Sequence, residues 1–149
     1  MTTSDMSKSL FWEDVLEGQV IPAIVKHPTT RQLVRYAGVS GDFNQIHYDK
    51  DHALSMGLPG VILHGALKSA FLAQILTDWI GISGKLKKLG CQYRQMDEPG
   101  RPLFCKGLVQ TKYVDNEEYL VECDIWLENE QGEKSTLGWA IVSLPTKSN

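Results

Sequence analysis

The sequence predicts an α+β protein in which a long antiparallel sheet wraps one buried helix. Three observations carry this. From about Ile62 to Ile80 the chain is apolar around most of a helical circumference, as in a helix enclosed by other elements. After residue 84 the apolar period drops to two, the period of strands. The links VDNEE and ENEQGEK are polar turn sequences that join successive strands as hairpins. The helix must lie on the apolar face of the sheet, because nothing else in the chain can cover that face.

The elements follow in order. Residues 1–9 are polar and are expected to form a disordered tail, residues 10–145 one domain, and residues 146–149 a C-terminal tail. FWEDVLEGQ starts apolar and ends in a Gly turn, and Val20–His27 reads as an edge strand because of Pro22. Thr29 or Thr30 caps a short helix with Leu33, Val34, Tyr36 and Ala37 as its apolar positions, closed by Gly38 and Gly41. Asp49 caps a second short helix, KDHALSM, that stops at Gly57, and GLPG is a turn. Gly81 and Gly84 end the long helix. The strands then place Leu89, Cys91 and Tyr93 on one face. They place Leu103, Cys105, Val109 and Tyr113 opposite Lys106, Gln110 and Lys112, and Leu137, Trp139 and Ile141 together on one face. A long sheet wrapped around a central helix is the hotdog architecture. No internal repeat or low-complexity run interrupts it.

Bulk properties narrow the function. A chain of 149 residues with 42% hydrophobic content has the size of one domain with a real core. A formal net charge of −3 gives no basic field for nucleic acid or anionic lipid. Lys85, Lys87 and Lys88 form a local cluster, either a solvated strand end or a contact for an anionic ligand. Cys91, Cys105 and Cys123 are odd in number and lack metal-ligand spacing, so reduced thiols, no zinc and a cytoplasmic location are expected. The N-terminus lacks the apolar run of a signal peptide, and His64, Lys68, Gln74 and Asp78 interrupt the most apolar segment too often for a membrane span.

Chemistry concentrates in SGDFNQIHYD, Ser40–Asp49. Asp42 and His47 offer an acceptor and a group that titrates near neutrality, a pair able to activate water. The same residues also suit a plain turn, with Asp42 serving local backbone donors and His47 as a polar cap. In PGVILHGALKSA, Gly65 stands in the first turns of the long helix. There it either lets a ligand carbonyl approach free N–H groups or permits close helix–sheet packing. His64 beside it reads as a core or rim histidine.

Taken together, Tyr36 to Leu67 resemble the hydratase signature of the MaoC-like dehydratases, hotdog proteins that include (R)-specific enoyl-CoA hydratases and β-hydroxyacyl-thioester dehydratase subunits. Tyr36, Ser40, Gly41, Asp42, Asn44, His47, His64 and Gly65 match that pattern, and the likeness extends over roughly residues 11–145. Gln45 replaces the family's usual proline, and Leu63, Ala66, Met96 and Arg101 also depart from the common residues. The resemblance implies reversible hydration of a trans-2-enoyl thioester to an (R)-3-hydroxyacyl thioester, without a cofactor beyond the CoA or acyl-carrier-protein thioester. It implies Asp42 and His47 as the acid–base pair. On this reading Asp42 takes the proton from water, while His47 positions that water and delivers a proton to Cα. The N–H of Gly65 stabilises the thioester oxygen, and Asn44 orients the loop or the His47 ring. Tyr36, Ser40 and His64 support these groups, and the acyl chain runs near Leu67, Ala70 and Phe71. The family implies a homodimer joined edge to edge, or a heterodimer with a related subunit. Two alternatives stand beside this. One is a hotdog acyl-CoA thioesterase, for which the helix offers only Asp78 as carboxylate. The other is an acyl-thioester-binding subunit without catalysis.

Overall fold

The structure, a computed structural model, describes residues 9–148. The strands are β1 (Val20–Lys26), β2 (Lys85–Tyr93), β3 (Leu103–Asp115), β4 (Glu118–Glu128) and β5 (Lys134–Ser143). The helices are α1 (Thr30–Ser40), α2 (Lys50–Ser55) and α3 (Gly65–Ile80), with 3-10 turns at Trp12–Asp14 and Gln45–His47. The five strands form one antiparallel sheet in the order β1-β3-β4-β5-β2. β1 is an edge, as Pro22 requires, and its pairing with β3 slips between Ile21 and Ile24, around that proline. Of the expected N-terminal tail only Ser9 is described; its hydroxyl meets that of Ser83 at 2.9 Å, and residues 1–8 lie outside the described residues. Near the other end, Lys147 pairs with Asp14.

Local chemistry sets the helix ends. The Thr29 hydroxyl accepts the Gln32 N–H at 3.2 Å, capping α1. Gly41, at φ 76°, closes α1 in the left-handed conformation, and its N–H reaches the Ala37 carbonyl at 2.9 Å. Gly38, expected to bracket this end, lies inside the helix. Asp49 caps α2 by accepting the His52 N–H at 3.0 Å. α3 begins later than its apolar run, because the backbone just before it bonds elsewhere. The Ile62 N–H goes to Ile46 O at 3.1 Å and the Leu63 N–H to Asp97 O at 2.9 Å.

The core lies between α3 and the sheet. Leu67, Phe71, Leu72, Ile75, Leu76 and Ile80 meet Leu103, Cys105, Val109, Val121, Cys123, Ile125, Leu127, Ala140 and Val142, all buried. Burying one such large side chain is worth about 1.5–3 kcal/mol. α3 is not apolar and enclosed all round, however: Ala66, Ala70, Gln74 and Thr77 form an exposed stripe. Cys105 and Cys123 are sealed in, and burial pushes both thiols up to about 12. Cys91 is half-buried, and all three cysteines are free. No helix among the described residues is long and apolar enough to cross a membrane.

Two strand assignments differ from the alternation. In β3 the register slips between Val109 and Thr111, so Lys112 pairs with buried Val121 and Tyr113 with Leu120. Paired residues share a face, so this bulge at Gln110 turns Lys112 toward the helix side and Tyr113 away. The Lys112 ammonium accordingly lies 4.0 Å from the centre of a Trp12 ring. In β5, Leu137, Trp139 and Ile141 do share a face, but it is the outer one; Thr136, Ala140 and Val142 point to the core. With Leu108 and Trp126 they make the outer face partly apolar too, so the sheet does not have a single apolar side.

One buried ion pair joins α3 to the segment after β2. The Lys68 ammonium, 3% exposed, lies 2.8 Å from Asp97 Oδ2 and donates to the Gln95 carbonyl at 2.8 Å. Since Asp97 O holds the Leu63 N–H, the pair fixes the approach to α3. Removing one partner leaves a buried charge uncompensated. Asp97→Ala should therefore lower unfolding free energy by about 3–5 kcal/mol in urea titration, and Lys68→Met combined with Asp97→Leu should lower it less.

Candidate active site

The loop after α1 is built by side chains that each hold a backbone N–H two residues on. Ser40 Oγ accepts from Asp42 at 3.2 Å, Asp42 Oδ1 from Asn44 at 3.3 Å, and Asn44 Oδ1 from Ile46 at 3.3 Å. Asp42 therefore does serve a turn, but with one oxygen only. Its Oδ2 stands 3.8 Å from His47 Nε2. Asn44 orients the loop, and the His47 ring is held by a different group, the Ile62 carbonyl, 2.7 Å from Nδ1. A carbonyl only accepts, so Nδ1 carries the proton and Nε2 of the neutral ring presents a lone pair toward Asp42. The Asp42 side chain is 49% exposed and that of His47 8%, so the pair has one wet and one dry member. Gln45 opens the 3-10 turn where the family pattern has proline. The turn closes without it, the Gln45 carbonyl accepting from Tyr48 at 3.2 Å and Asp49 at 2.8 Å.

His64 is fully buried behind this pair. Its ring stacks on His47 at 3.8 Å and 21°, and Tyr36 meets it edge-on at 4.9 Å. Nε2–H donates to the Asp42 carbonyl at 3.3 Å, which steadies the loop, and Nδ1 is buried without a partner among the described residues. Burial, reinforced by the neighbouring His47, pushes the His64 pKa below the ordinary value for histidine. Asp42, His47 and His64 bring ligand-type atoms within 4.8 Å of one another. The two imidazoles are nearly parallel, so their in-plane lone pairs do not converge on one point, and the set does not fit a shared metal ion.

Gly65 is the first residue of α3, where the N–H groups of the first turn have no intrahelical acceptor. His64, at the cap, makes no side-chain capping bond. The space over Gly65 belongs to Tyr93: a Cβ there would lie 2.8 Å from Tyr93 Cε2. Leu67 and Phe71, expected along the acyl chain, are buried core residues, whereas Ala70 is exposed. Asp78 lies exposed in the last turn of α3, about 20 Å along the axis from Gly65 at 1.5 Å per residue. The sequence reading missed the Ile62 carbonyl, the Lys68–Asp97 pair and Tyr93. Only Tyr93 left a trace, as the last helix-facing residue of an alternating strand.

Because His64 binds its proton less readily folded than unfolded, the unfolded state gains protons first on acidification. Stability should thus fall as pH drops below about 6.5 toward the folded value. Thermal melts between neutral and mildly acid pH should show this, and His64→Gln should flatten the dependence.

Comparison with known proteins gives a consistent family. The family model described as "MaoC like domain" matches residues 14–123. The chain is 32% identical over 90 residues to the fatty acid synthase subunit beta of Saccharomyces cerevisiae, covering 59% of this chain but 4% of that one. It is 26% identical over 73 residues to the 3-oxo-4,17-pregnadiene-20-carboxyl-CoA hydratase beta subunit of Mycobacterium tuberculosis, covering 49% of this chain and 57% of that one. Among solved structures, the R-hydratase PhaJ1 of Pseudomonas aeruginosa superposes with a TM-score of 0.83 at 24% identity, covering 93% of this chain and 88% of that one. The fold is therefore the hotdog, and the chain belongs to the MaoC-like domain family.

Proposed function

We propose that the protein is a hydro-lyase that interconverts a trans-2-enoyl thioester and an (R)-3-hydroxyacyl thioester, with Asp42 and His47 activating the water. Family membership supports the reaction class, and the identities of the relatives, a hydratase subunit and a fatty acid synthase subunit, agree with it. The observation that carries the reading is the Nδ1–H of His47 committed to Ile62 O at 2.7 Å. It leaves two acceptors, His47 Nε2 and Asp42 Oδ2, 3.8 Å apart. They are too far apart to bond each other directly, yet one water can donate to both at ordinary distances of about 2.8 Å. Both its protons are then engaged, and its oxygen lone pairs face outward toward Cβ.

The same tautomer favours a different division of labour from the one that gives Asp42 the proton. Neutral His47 has no proton on Nε2 to deliver, so it must first receive one. As the water oxygen bonds to Cβ, its proton passes to Nε2, and the π electrons move to Cα and the thioester oxygen. The imidazolium, facing the Asp42 carboxylate, then returns that proton to Cα. One water is added and no charge is left over. The stacked His64, held neutral by burial, adds no opposing charge. The N–H groups at the start of α3 receive the developing oxyanion. The step needs nothing beyond the thioester carrier, CoA or acyl carrier protein. We also infer that the free edge of β2 pairs with a second copy or a related subunit, since an unpaired edge is a liability.

Asp42→Asn and His47→Gln should each lower kcat/KM for crotonyl-CoA hydration by about 10²–10⁴, the usual share of acid–base catalysis, with unchanged melting temperature. Loss of absorbance of the enoyl thioester measures it, and full activity in either variant would sink the assignment.

A further inference from the structure

We propose that Tyr93 is a further substrate-contacting residue of this site, its hydroxyl donating a hydrogen bond to the thioester carbonyl oxygen beside the start of α3. The inference rests on the reading above, that the substrate is an acyl thioester. Tyr93 ends β2 and pairs with buried Thr136, so its side chain points to the helix side of the sheet. There its ring occupies the volume that a side chain at position 65 would need, with Cζ 2.9 Å from that Cβ position. The hydroxyl is one bond further on. Gly65 thus serves close packing, and what it packs against is an aromatic with a polar tip. The residue is 51% exposed, and the contact its hydroxyl makes with Ser69 lies at the surface rather than sealed in the core.

The hydroxyl is also held. Ser69, one turn along α3 from Gly65, places its Oγ 2.5 Å from the Tyr93 oxygen and 3.2 Å from Cys91 Sγ. Ser69 Oγ also lies 3.4 Å from the Gly65 carbonyl, a longer contact. With the single Ser69 O–H directed along the 2.5 Å contact to the Tyr93 oxygen instead, the protons run from the Cys91 S–H to Ser69 Oγ and from the Ser69 O–H to Tyr93. That chain leaves the Tyr93 O–H free to donate outward. Partial burial raises the Tyr93 pKa above that of an ordinary phenol, with the Ser69 bond opposing it, so the group keeps its proton across the neutral range. The Lys68 ammonium, 5.7 Å from the ring centre, is matched by Asp97 at 2.8 Å, so the donor here is the hydroxyl itself. A neutral donor held in place is what an enolate-like oxygen gains from, because the charge it meets develops only as water adds.

Tyr93→Phe keeps the ring over Gly65 and removes only the hydroxyl. In the full chain with crotonyl-CoA, kcat should fall about tenfold to a hundredfold, because the backbone donors of α3 remain. KM should change by less than about twofold, since the bond strengthens in the transition state, and the melting temperature should not move. Ser69→Ala should lower kcat by a smaller factor, since the hydroxyl then donates without being held. Wild-type kcat in Tyr93→Phe, alongside activity lost in Asp42→Asn, overturns the inference and leaves the hydro-lyase reading standing. A wild-type chain that hydrates neither crotonyl-CoA nor a longer enoyl-CoA removes both.

Discussion

Ile62 holds the active loop from both ends of one peptide pair. Its N–H binds Ile46 O at 3.1 Å and its carbonyl binds His47 Nδ1 at 2.7 Å. Those two bonds tie the loop after α1 to the extended residues leading into α3. They determine the histidine tautomer, the direction of its lone pair and the distance to Asp42. They also keep residues 62–64 out of the helix, which lets α3 start at Gly65 with its first N–H groups unoccupied. The next link is Asp97, whose carbonyl binds Leu63 and whose carboxylate is anchored by buried Lys68. The geometry of the loop thus depends on backbone bonds made by Ile62 and Leu63, two residues with no reactive side chain.

What the sequence made legible was local. Thr29 and Asp49 announce helix starts because a cap needs only the next three residues. The change of period after residue 84 announces the sheet because alternation is a property of neighbours. Asp42 and His47 stand out because they lie only five positions apart and their chemistry is unusual in a turn. The misses are equally physical. The bulge at Gln110 inserts one residue and reverses the facing of Lys112 and Tyr113, and no periodicity encodes it. The outward Leu137 and Trp139 look like core residues because apolarity alone does not name a face. Tyr93 and Gly65 meet across 28 positions, and the Ile62 carbonyl is a backbone group that every residue possesses.

Electrostatically the site separates its roles by wetness. Asp42 reaches solvent and stays a ready acceptor, His47 is nearly dry, and His64 is fully enclosed. Two stacked imidazoles resist carrying two charges, and burial decides which stays neutral. In the proposed reaction His47 is the ring that takes up and returns the proton, while His64 holds the loop through the Asp42 carbonyl. Tyr36, edge-on to His64, closes that stack from α1.

The sealed thiols have a practical consequence. Cys105 and Cys123 sit on the inner face of the sheet beneath α3, with their pKa pushed up to about 12. A mild alkylating reagent at neutral pH finds them as protonated, inaccessible sulfhydryls, and Cys91 is the one at the margin of reach. Labelling of the two inner cysteines then works as a built-in clock for the helix lifting off the sheet, read by mass without any added probe. It also means that a thiol-counting assay for released CoA can run on the folded protein with little background from its core.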